Sequence, residues 1–217
     1  MITMPLRALV LALPCLFAFE IATAAGKVAD GVYFSPLNNF AVPVPGWRGL
    51  RIQERNDDNF AIVSFLDRSD MPAALQSIAT LRLTAEVEPV FADLSRRDSA
   101  LQGFLTGFVV PQLFQNVAPG TTIVHEKFFD EGDRRYYFAV ANIPEAHAFL
   151  RDPNKAKQHD SVSGLLIFHN RGFMYMVRIE MKTLFNSNLN PSSLSPRDLE
   201  SALKSLLRIT GTMKFTN

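Results

Sequence analysis

Two long segments of the chain have the pattern of β-hairpins, and they constrain its fold more than any other feature. The first, TIVHEKFFDEGDRRYYFAVANI, has an acidic glycine turn at Asp130 to Asp133. The second, GLLIFHNRGFMYMVRIEM, turns at Asn170 to Gly172, where glycine supplies the positive φ that tight loops need. Every second residue from Phe173 to Met181 is apolar. Strands joined by such short turns pair antiparallel, so we expect an antiparallel sheet.

Earlier parts of the chain add five predicted strands. Short apolar or alternating runs indicate strands at residues 31–34, 39–44, 49–54, 60–66 and 77–87. The third and fourth of these are joined by the polar sequence RNDDN, which is typical of a hairpin turn. The fifth alternates apolar and polar residues over its second half, which predicts a half-buried strand.

The spacing of apolar residues then changes from two to three and four, which indicates an amphipathic helix. This pattern runs from Ser95 to Val109, and Ser95 and Asp98 have the spacing of a capping box. Pro111 is expected to kink or end this helix near its last turn.

The last helix is predicted from its first residues, because Ser195 suits the N-cap and Pro196 suits the first helical position. Its buried face is marked by apolar residues at helical spacing: Leu199, Ala202, Leu203, Leu206 and Leu207. The sequence ITGTMKF then predicts a short final strand. The order of elements predicts an α+β fold in which helices cover an antiparallel β-sheet.

The N-terminal residues have the three-part pattern of a secretory signal peptide. Arg7 precedes an apolar run from Ala8 to Phe19, and the sequence Ala-Thr-Ala at 22–24 follows as a cleavage site. The run is about a dozen residues, whereas a transmembrane helix needs about 20. We therefore expect a signal peptide at residues 1–24, a single domain at residues 25–217, and a periplasmic or secreted protein.

Cys15 is the only cysteine of the chain and lies within this apolar run. A lipid-attached cysteine needs a small residue directly before it, but Pro14 stands there. We interpret Cys15 as part of the signal peptide, which leaves the exported chain without disulfides or thiol chemistry. The 18 phenylalanines among its 47% hydrophobic residues supply the apolar surface for a core instead.

Charge and hydropathy argue against two classes of partner. The formal net charge is +1, whereas nucleic-acid-binding proteins carry a strong basic excess. Apart from the N-terminal run, the sequence has no long apolar run that could mark a membrane span. We therefore predict no nucleic acid and no transmembrane span, and the oligomeric state stays open.

The segment around the only tryptophan gives a further indication of the fold. Its sequence, VYFSPLNNFAVPVPGW, places an aromatic strand directly before a strand that prolines interrupt. The characteristic positions are Tyr33, Pro36, Phe40, Val42, Pro45 and Trp47. This pattern resembles the start of PsbP-like domains, and the resemblance continues as an order of elements over about residues 30 to 215. It implies an α/β/α sandwich that serves as a binding or assembly module, without a common catalytic residue.

The prolines and the tryptophan of this segment also have a physical interpretation. Proline cannot donate to a sheet ladder, so Pro43 and Pro45 should place this strand at an edge or end it. We expect Trp47 to lie mostly buried over the open end of the core, and stacking on a ligand is the alternative.

Residues that carry chemistry give little indication of an enzyme. The four histidines are His125, His147, His159 and His169. None has the local spacing of a metal-binding pair, and no P-loop, dinucleotide fingerprint or Gly-x-Ser-x-Gly motif occurs. We therefore predict no metal, no cofactor and no catalytic residue.

The stretch at 144–161, PEAHAFLRDPNKAKQHDS, is long for a connection between two strands. It holds three cationic residues and two histidines, namely Arg151, Lys155, Lys157, His147 and His159. One interpretation is a site that faces an acidic protein partner, and the other is a solvated loop with one helical turn.

Three hypotheses for the function follow. The first is an exported, non-enzymatic binding or accessory protein of the bacterial envelope that acts on a protein partner. The second is a small-molecule or lipid carrier with a Phe-rich pocket between helix and sheet, which a sizeable apolar cavity would favour. The third is a hydrolase whose site would bring His125, Asp160 and a serine together from distant positions.

Overall fold

A computed structural model of the chain describes residues 25–67, 75–115, 120–144, 161–181 and 193–216. The predicted signal peptide at 1–24 lies outside these residues, and so does almost all of the loop at 144–161. The export of the protein and the role of that loop therefore stay predictions.

A seven-stranded antiparallel sheet forms the centre of the molecule. Its strands are β4 (Arg51–Asn56), β5 (Phe60–Leu66), β6 (Leu75–Arg82), β7 (Thr122–Glu131), β8 (Arg134–Ile143), β9 (Ser161–Asn170) and β10 (Phe173–Glu180). They lie in the order β4-β5-β6-β10-β9-β8-β7, so the hairpin β9–β10 is inserted between β6 and β8. Both hairpins predicted from the sequence are confirmed as β7–β8 and β9–β10.

A smaller sheet joins the two ends of the described chain. It consists of β1 (Lys27–Ala29), β2 (Val32–Phe34), β3 (Phe40–Pro43) and β11 (Lys214–Phe215), in the order β1-β2-β3-β11. The predicted proline-bounded strand is β3, which ends at Pro43 because this residue has no N–H to donate. The next residue, Val44, donates its N–H to the carbonyl oxygen of Gly31 at 2.8 Å.

The helical parts are α1 (Glu88–Ala92), α2 (Arg97–Phe104), a π-helical segment (Leu105–Gln115) and α3 (Pro196–Thr212). The predicted strand at 77–87 is wrong in its second half, since β6 ends at Arg82. The N–H groups of Val87 and Glu88 both bond to the carbonyl oxygen of Thr84, at 3.0 Å, and form a turn that leads into α1. Alternation alone did not reveal this turn. Pro89, in the first turn of α1, is the residue that favours a helix start here.

The predicted capping box at Ser95 is also wrong. Both the backbone N–H and the hydroxyl of Ser95 donate to Oδ1 of Asp93, at 2.9 and 2.7 Å. The carboxylate of Asp98 is instead bound by Arg135 of strand β8, so a tertiary ion pair replaces the local cap. The helix therefore begins at Arg97 without a side-chain cap.

Pro111 lies inside the π-helical segment and does not end it, because this segment continues to Gln115. Bonds in a π-helix join residues five apart, so the missing N–H of Pro111 removes one of them without stopping the helix. The last helix agrees with its prediction. Ser195 and Asp198 form a capping box, and Pro196 opens α3.

Two cores cover the two faces of the large sheet. The first lies between this sheet, α3 and the small sheet, and Phe65, Phe168 and Leu206 belong to it. The second lies between the opposite face, α1, α2 and the π-helical segment, and Leu101 and Phe114 belong to it. Alternate residues of β10 enter the two cores in turn, as predicted. The α+β fold with helices on both sides of an antiparallel sheet is therefore confirmed.

Trp47 packs against the rim of the first core and is neither fully buried nor exposed, which agrees with the expectation that most of its surface is covered there. Its neighbours Gly46 and Arg48 are exposed, which keeps the ring at the rim of the core.

Candidate functional site

The residues that the sequence nominated for partner binding all lie outside the described part of the chain: Arg151, Lys155, Lys157, His147 and His159. The structure therefore does not test the site at 144–161. A different group of cationic residues comes together within the described part.

This second group lines a small cleft at the end of the large sheet, where the turns of the two hairpins lie side by side. The cleft has a volume of about 140 Å³. Its lining residues are Arg97, Asp133, Arg134, Arg135, His169, Asn170 and Arg171, and we call it the arginine cleft. More than half of these residues are arginines, although the chain as a whole is almost neutral.

The register of the sheet explains why these residues meet. Strands β8 and β9 pair Tyr136 with Phe168. Extending this register by one residue brings Arg135 beside His169, and extending it by two brings Arg134 beside Asn170; all four line the cleft. The second turn is tight, with a φ of 49° at Arg171 and 74° at Gly172, which leaves Arg171 exposed at its tip. Helix α2 adds Arg97 from one face of the sheet.

Arg135 forms the fixed wall of the cleft. Its Nε and Nη2 atoms donate to Oδ1 and Oδ2 of Asp98 at 2.8 and 2.7 Å, and its Nη1 donates to Oδ2 of Asp130 at 2.8 Å. This fork-to-fork geometry is the strongest arrangement for such a pair. The hydrogen bond from Arg135 lowers the pKa of Asp98, and the hydrogen bond to Asp98 raises the pKa of Arg135.

Two other guanidinium groups are also held in place. The guanidinium of Arg134 lies over the ring of Phe215, 4.6 Å from the ring centre. The Nε atom of Arg97 donates to the carbonyl oxygen of Phe91 at 2.9 Å. These contacts reduce the freedom of the long side chains before any ligand arrives, so less rotamer entropy is lost on binding.

His169 and Asn170 contribute polar groups that their surroundings leave unused. The Nε2 atom of His169 and the Nδ2 atom of Asn170 are buried and have no hydrogen-bond partner in the described structure. The ring of His169 stacks on Phe91, with 5.8 Å between ring centres. Burial lowers the pKa of His169, and the charge of Arg97 lowers it further, while the charge of Glu88 opposes this change. The imidazole is therefore neutral at pH 7.

Carboxylates balance much of the positive charge around the cleft. Asp133 is part of its lining, and Asp98 and Asp130 bind Arg135. The carboxylate of Glu88 lies close to the second turn. A Cβ atom added to Gly172 would lie 3.5 Å from Oε1 of Glu88. The cleft is thus rich in hydrogen-bond donors without being strongly charged.

A second polar cluster lies near the other end of strands β9 and β10. The side chains of Arg178 and Glu180 form an ion pair at 3.6 Å and are only 11% and 12% exposed. The Nε atom of Arg178 donates to the hydroxyl of Ser163 at 3.0 Å, and the hydroxyl of Ser161 donates to Oε1 of Glu180 at 2.5 Å. Its polar groups thus bond to one another, so we interpret this cluster as structural.

The described residues offer no metal centre, because no three histidine, cysteine, aspartate or glutamate side chains among them are grouped to bind an ion. His125 of strand β7 packs against the ring of Phe138, with 5.7 Å between ring centres. Asp160, which the hydrolase hypothesis requires, lies outside the described part of the chain.

The arginine cleft was missed by reasoning from the sequence. A signal was present, since arginines flank both hairpin turns in DEGDRR and NRG. That signal becomes informative only when the two turns are known to be neighbours.

None of the helices within the described ranges is long and apolar enough to cross a membrane. No family model matches the chain, and no curated protein matches it.

Solved structures with a similar arrangement include one cyanobacterial and one yeast protein. One is the solution structure of cyanobacterial PsbP from Synechocystis, at 10% identity and a TM-score of 0.48, covering 89% of this chain and 98% of that one. The other is the Ran-binding protein Mog1p of Saccharomyces cerevisiae, at 13% identity and a TM-score of 0.47, covering 88% of this chain and 95% of that one. One of the two is a PsbP protein, the family that the sequence resembles, and both similarities concern the fold alone.

Proposed function

We propose that this protein is an exported, non-enzymatic binding or accessory protein of the bacterial envelope, and that it contacts an acidic protein partner through the arginine cleft. The observation that carries this proposal is the group of four arginines in one cleft, three of them fixed by contacts of their own. The signal-peptide pattern at residues 1–24 supports the exported location.

Arginine is well suited to this role. Its planar guanidinium binds a carboxylate through two parallel hydrogen bonds, and it is among the residues that contribute most to protein interfaces. Arg134 and Arg171 flank the two turns, and Arg171 is exposed at the tip of the β9–β10 turn, where a partner can reach it. The turns belong to the two hairpins of the central sheet, so the cleft rests on a rigid base.

The carrier hypothesis receives less support from the described residues. Side chains of the protein fill the Phe-rich interface between helix and sheet, since Phe91 and Phe114 are buried. Phe104 stacks on Phe108 with 5.4 Å between ring centres, and Phe108 contacts Phe60.

The loop at 144–161 remains a second proposed contact for the same partner. Its cationic residues Arg151, Lys155 and Lys157 suit an acidic surface, and His147 and His159 accompany them. We propose that the cleft and this loop each contribute to binding, and variants of each can be compared.

Capture of the partner tests the proposal. The protein is immobilised and incubated with envelope extract, and the retained proteins are identified by mass spectrometry. The same capture is then repeated with the variant Arg134→Glu/Arg171→Glu. A matched control, Arg197→Glu/Arg208→Glu, makes the same change of charge at exposed positions of α3 that do not line the cleft.

We expect the wild type and the control to retain the same acidic protein, and the cleft variant to lose most of it. The loss should be larger at low salt, where surface charges are screened least. Equal retention by the cleft variant and the control would contradict the proposed role of the cleft.

A further inference from the structure

We infer that the arginine cleft receives a single carboxylate group of the acidic partner, such as the side chain of a glutamate or aspartate. This inference rests on the proposed function and specifies the chemical group that the cleft recognises. Three properties of the cleft carry it: its volume, its balance of charges and its polar groups that have no hydrogen-bond partner.

The volume limits what can enter. Sites for drug-sized ligands usually measure about 300–1,000 Å³. The arginine cleft measures about 140 Å³, which leaves room for one small polar group and a short stem. A cleft of this size would not enclose a nucleotide or a lipid chain.

The balance of charges decides between small anions. Four arginines line or bound the cleft, and four carboxylates lie beside them, on Glu88, Asp98, Asp130 and Asp133. A phosphate ester carries up to two negative charges at neutral pH, so it gains more than a carboxylate does from an excess of positive charge. A carboxylate carries one charge, which suits a cleft with many donors and little net charge.

The hydrogen-bond donors point to the same group. The buried Nδ2 atom of Asn170 has no acceptor within the described chain, and the buried Nε2 atom of His169 has no hydrogen-bond partner there. Both residues line the cleft beside Arg134 and Arg135. A small rotation of the Asn170 amide toward a bound carboxylate would give its Nδ2 an acceptor, since a carboxylate offers about four acceptor positions. The guanidinium of Arg134 is held nearby by Phe215 and donates to the same anion.

A blocked glutamate tests this inference directly. In this compound the amino and α-carboxyl groups are capped, so the side chain supplies the only carboxylate. The purified protein is labelled with nitrogen-15, and its backbone amide signals are followed during titration at constant ionic strength. Blocked glutamine, which has the same shape without the charge, serves as the matched ligand, and inorganic phosphate forms a third arm.

We expect blocked glutamate to shift the amide signals of Arg134, Asn170 and Arg171 in a saturable manner, with a Kd in the millimolar range. Blocked glutamine should cause no saturable shift, and phosphate should bind more weakly than blocked glutamate. The variants Asn170→Ala and Arg134→Gln should each weaken binding about tenfold, whereas Arg208→Gln on α3 should leave it unchanged. Their circular dichroism spectra check that each variant is folded.

The inference would be overturned if blocked glutamate caused no saturable shift, or if blocked glutamine bound equally well. Phosphate binding as tight as that of blocked glutamate would overturn the choice of a carboxylate. If blocked glutamate fails to bind while partner capture still depends on Arg134 and Arg171, only the carboxylate inference is lost. The proposed function is then retained, so the two failures can be distinguished.

Discussion

The buried ion pair between Arg178 and Glu180 allows a sharp test of how this fold is held together. The two side chains face the second core and are only 11% and 12% exposed. Replacing Arg178 by Met keeps most of the side-chain volume but removes the charge. It also removes the hydrogen bond from Nε to Ser163 and the contact of the guanidinium with the ring of Phe114, at 5.2 Å.

The expected loss of stability follows from the distance between the two charged groups and from their burial. At 3.6 Å and an effective dielectric constant of about 20, two unit charges attract by about 4–5 kcal/mol. Removing one partner of a buried pair usually costs about 3–5 kcal/mol, because the other charge stays buried. We therefore expect Arg178→Met to lower the free energy of unfolding by about 3–5 kcal/mol. The double variant Arg178→Met/Glu180→Leu should recover much of this loss, because both charges are gone.

Urea denaturation measures these differences. Trp47 is the only tryptophan and packs against the first core, so its fluorescence reports the loss of tertiary structure. Arg96→Met is the matched control, since Arg96 pairs with Asp93 at a similar distance of 3.5 Å but is 71% exposed. This exposed pair should contribute less than about 1 kcal/mol.

Two results would refute the reasoning about this pair. If Arg178→Met costs no more than Arg96→Met, the pair is solvated in the molecule. If the stability lost by the double variant equals the sum of the losses in Arg178→Met and Glu180→Leu alone, Arg178 and Glu180 are not coupled.

Three further predictions concern stability. Leu206→Ala should cost about 2–5 kcal/mol in urea denaturation, because Leu206 lies fully buried on the inner face of α3, and a cost below 1 kcal/mol would contradict its place in the core. Ser195→Ala should cost about 0.5–2 kcal/mol through loss of the helix cap, and an unchanged midpoint would argue against the capping box. The lowered pKa of Asp98 gives stability that is present above the ordinary carboxyl pKa, near 4, and is lost as the pH falls through the lower pKa of the folded state. The free energy of unfolding, measured from pH 5 to pH 2, should therefore fall less steeply for Asp98→Asn than for the wild type. Identical slopes against pH would contradict the pairing of Asp98 with Arg135.

Local patterns predicted the elements of this fold well where neighbours in sequence are also neighbours in space. The hairpins β7–β8 and β9–β10 close through two-residue turns, so alternation and turn residues sufficed to predict them. Helix α3 was predicted from its cap and its apolar stripe for the same reason. Each of these elements depends on interactions within a few residues of the chain.

The errors arose where a distant residue decides the local structure. The sequence around Ser95 has capping-box spacing, but Arg135 of strand β8 takes the carboxylate of Asp98. A bidentate pair with an arginine is stronger than a hydrogen bond to a helix N-terminus, so the tertiary contact prevails. The residues near Ser95 in the sequence give no indication of this contact with Arg135.

The arginine cleft could not be predicted for a related reason. Arg134 and Asn170 belong to different hairpins, and 36 residues of sequence number separate them, yet the register of β8 and β9 makes them neighbours. Pairing of strands across such a distance is set by how the cores pack, which single-sequence patterns do not specify. The sequence did show cationic residues beside both turns.

Competition with the captured partner tests the central claim, that the arginine cleft binds a carboxylate of an acidic protein. The partner is bound to the immobilised protein, and its release is measured during titration with blocked glutamate and, separately, with blocked glutamine at equal ionic strength. We predict that blocked glutamate releases the partner over the concentration range in which it shifts the signals of Asn170 and Arg171, while blocked glutamine does not. Equal release by the two compounds, or no release once blocked glutamate has saturated the cleft, would contradict the claim.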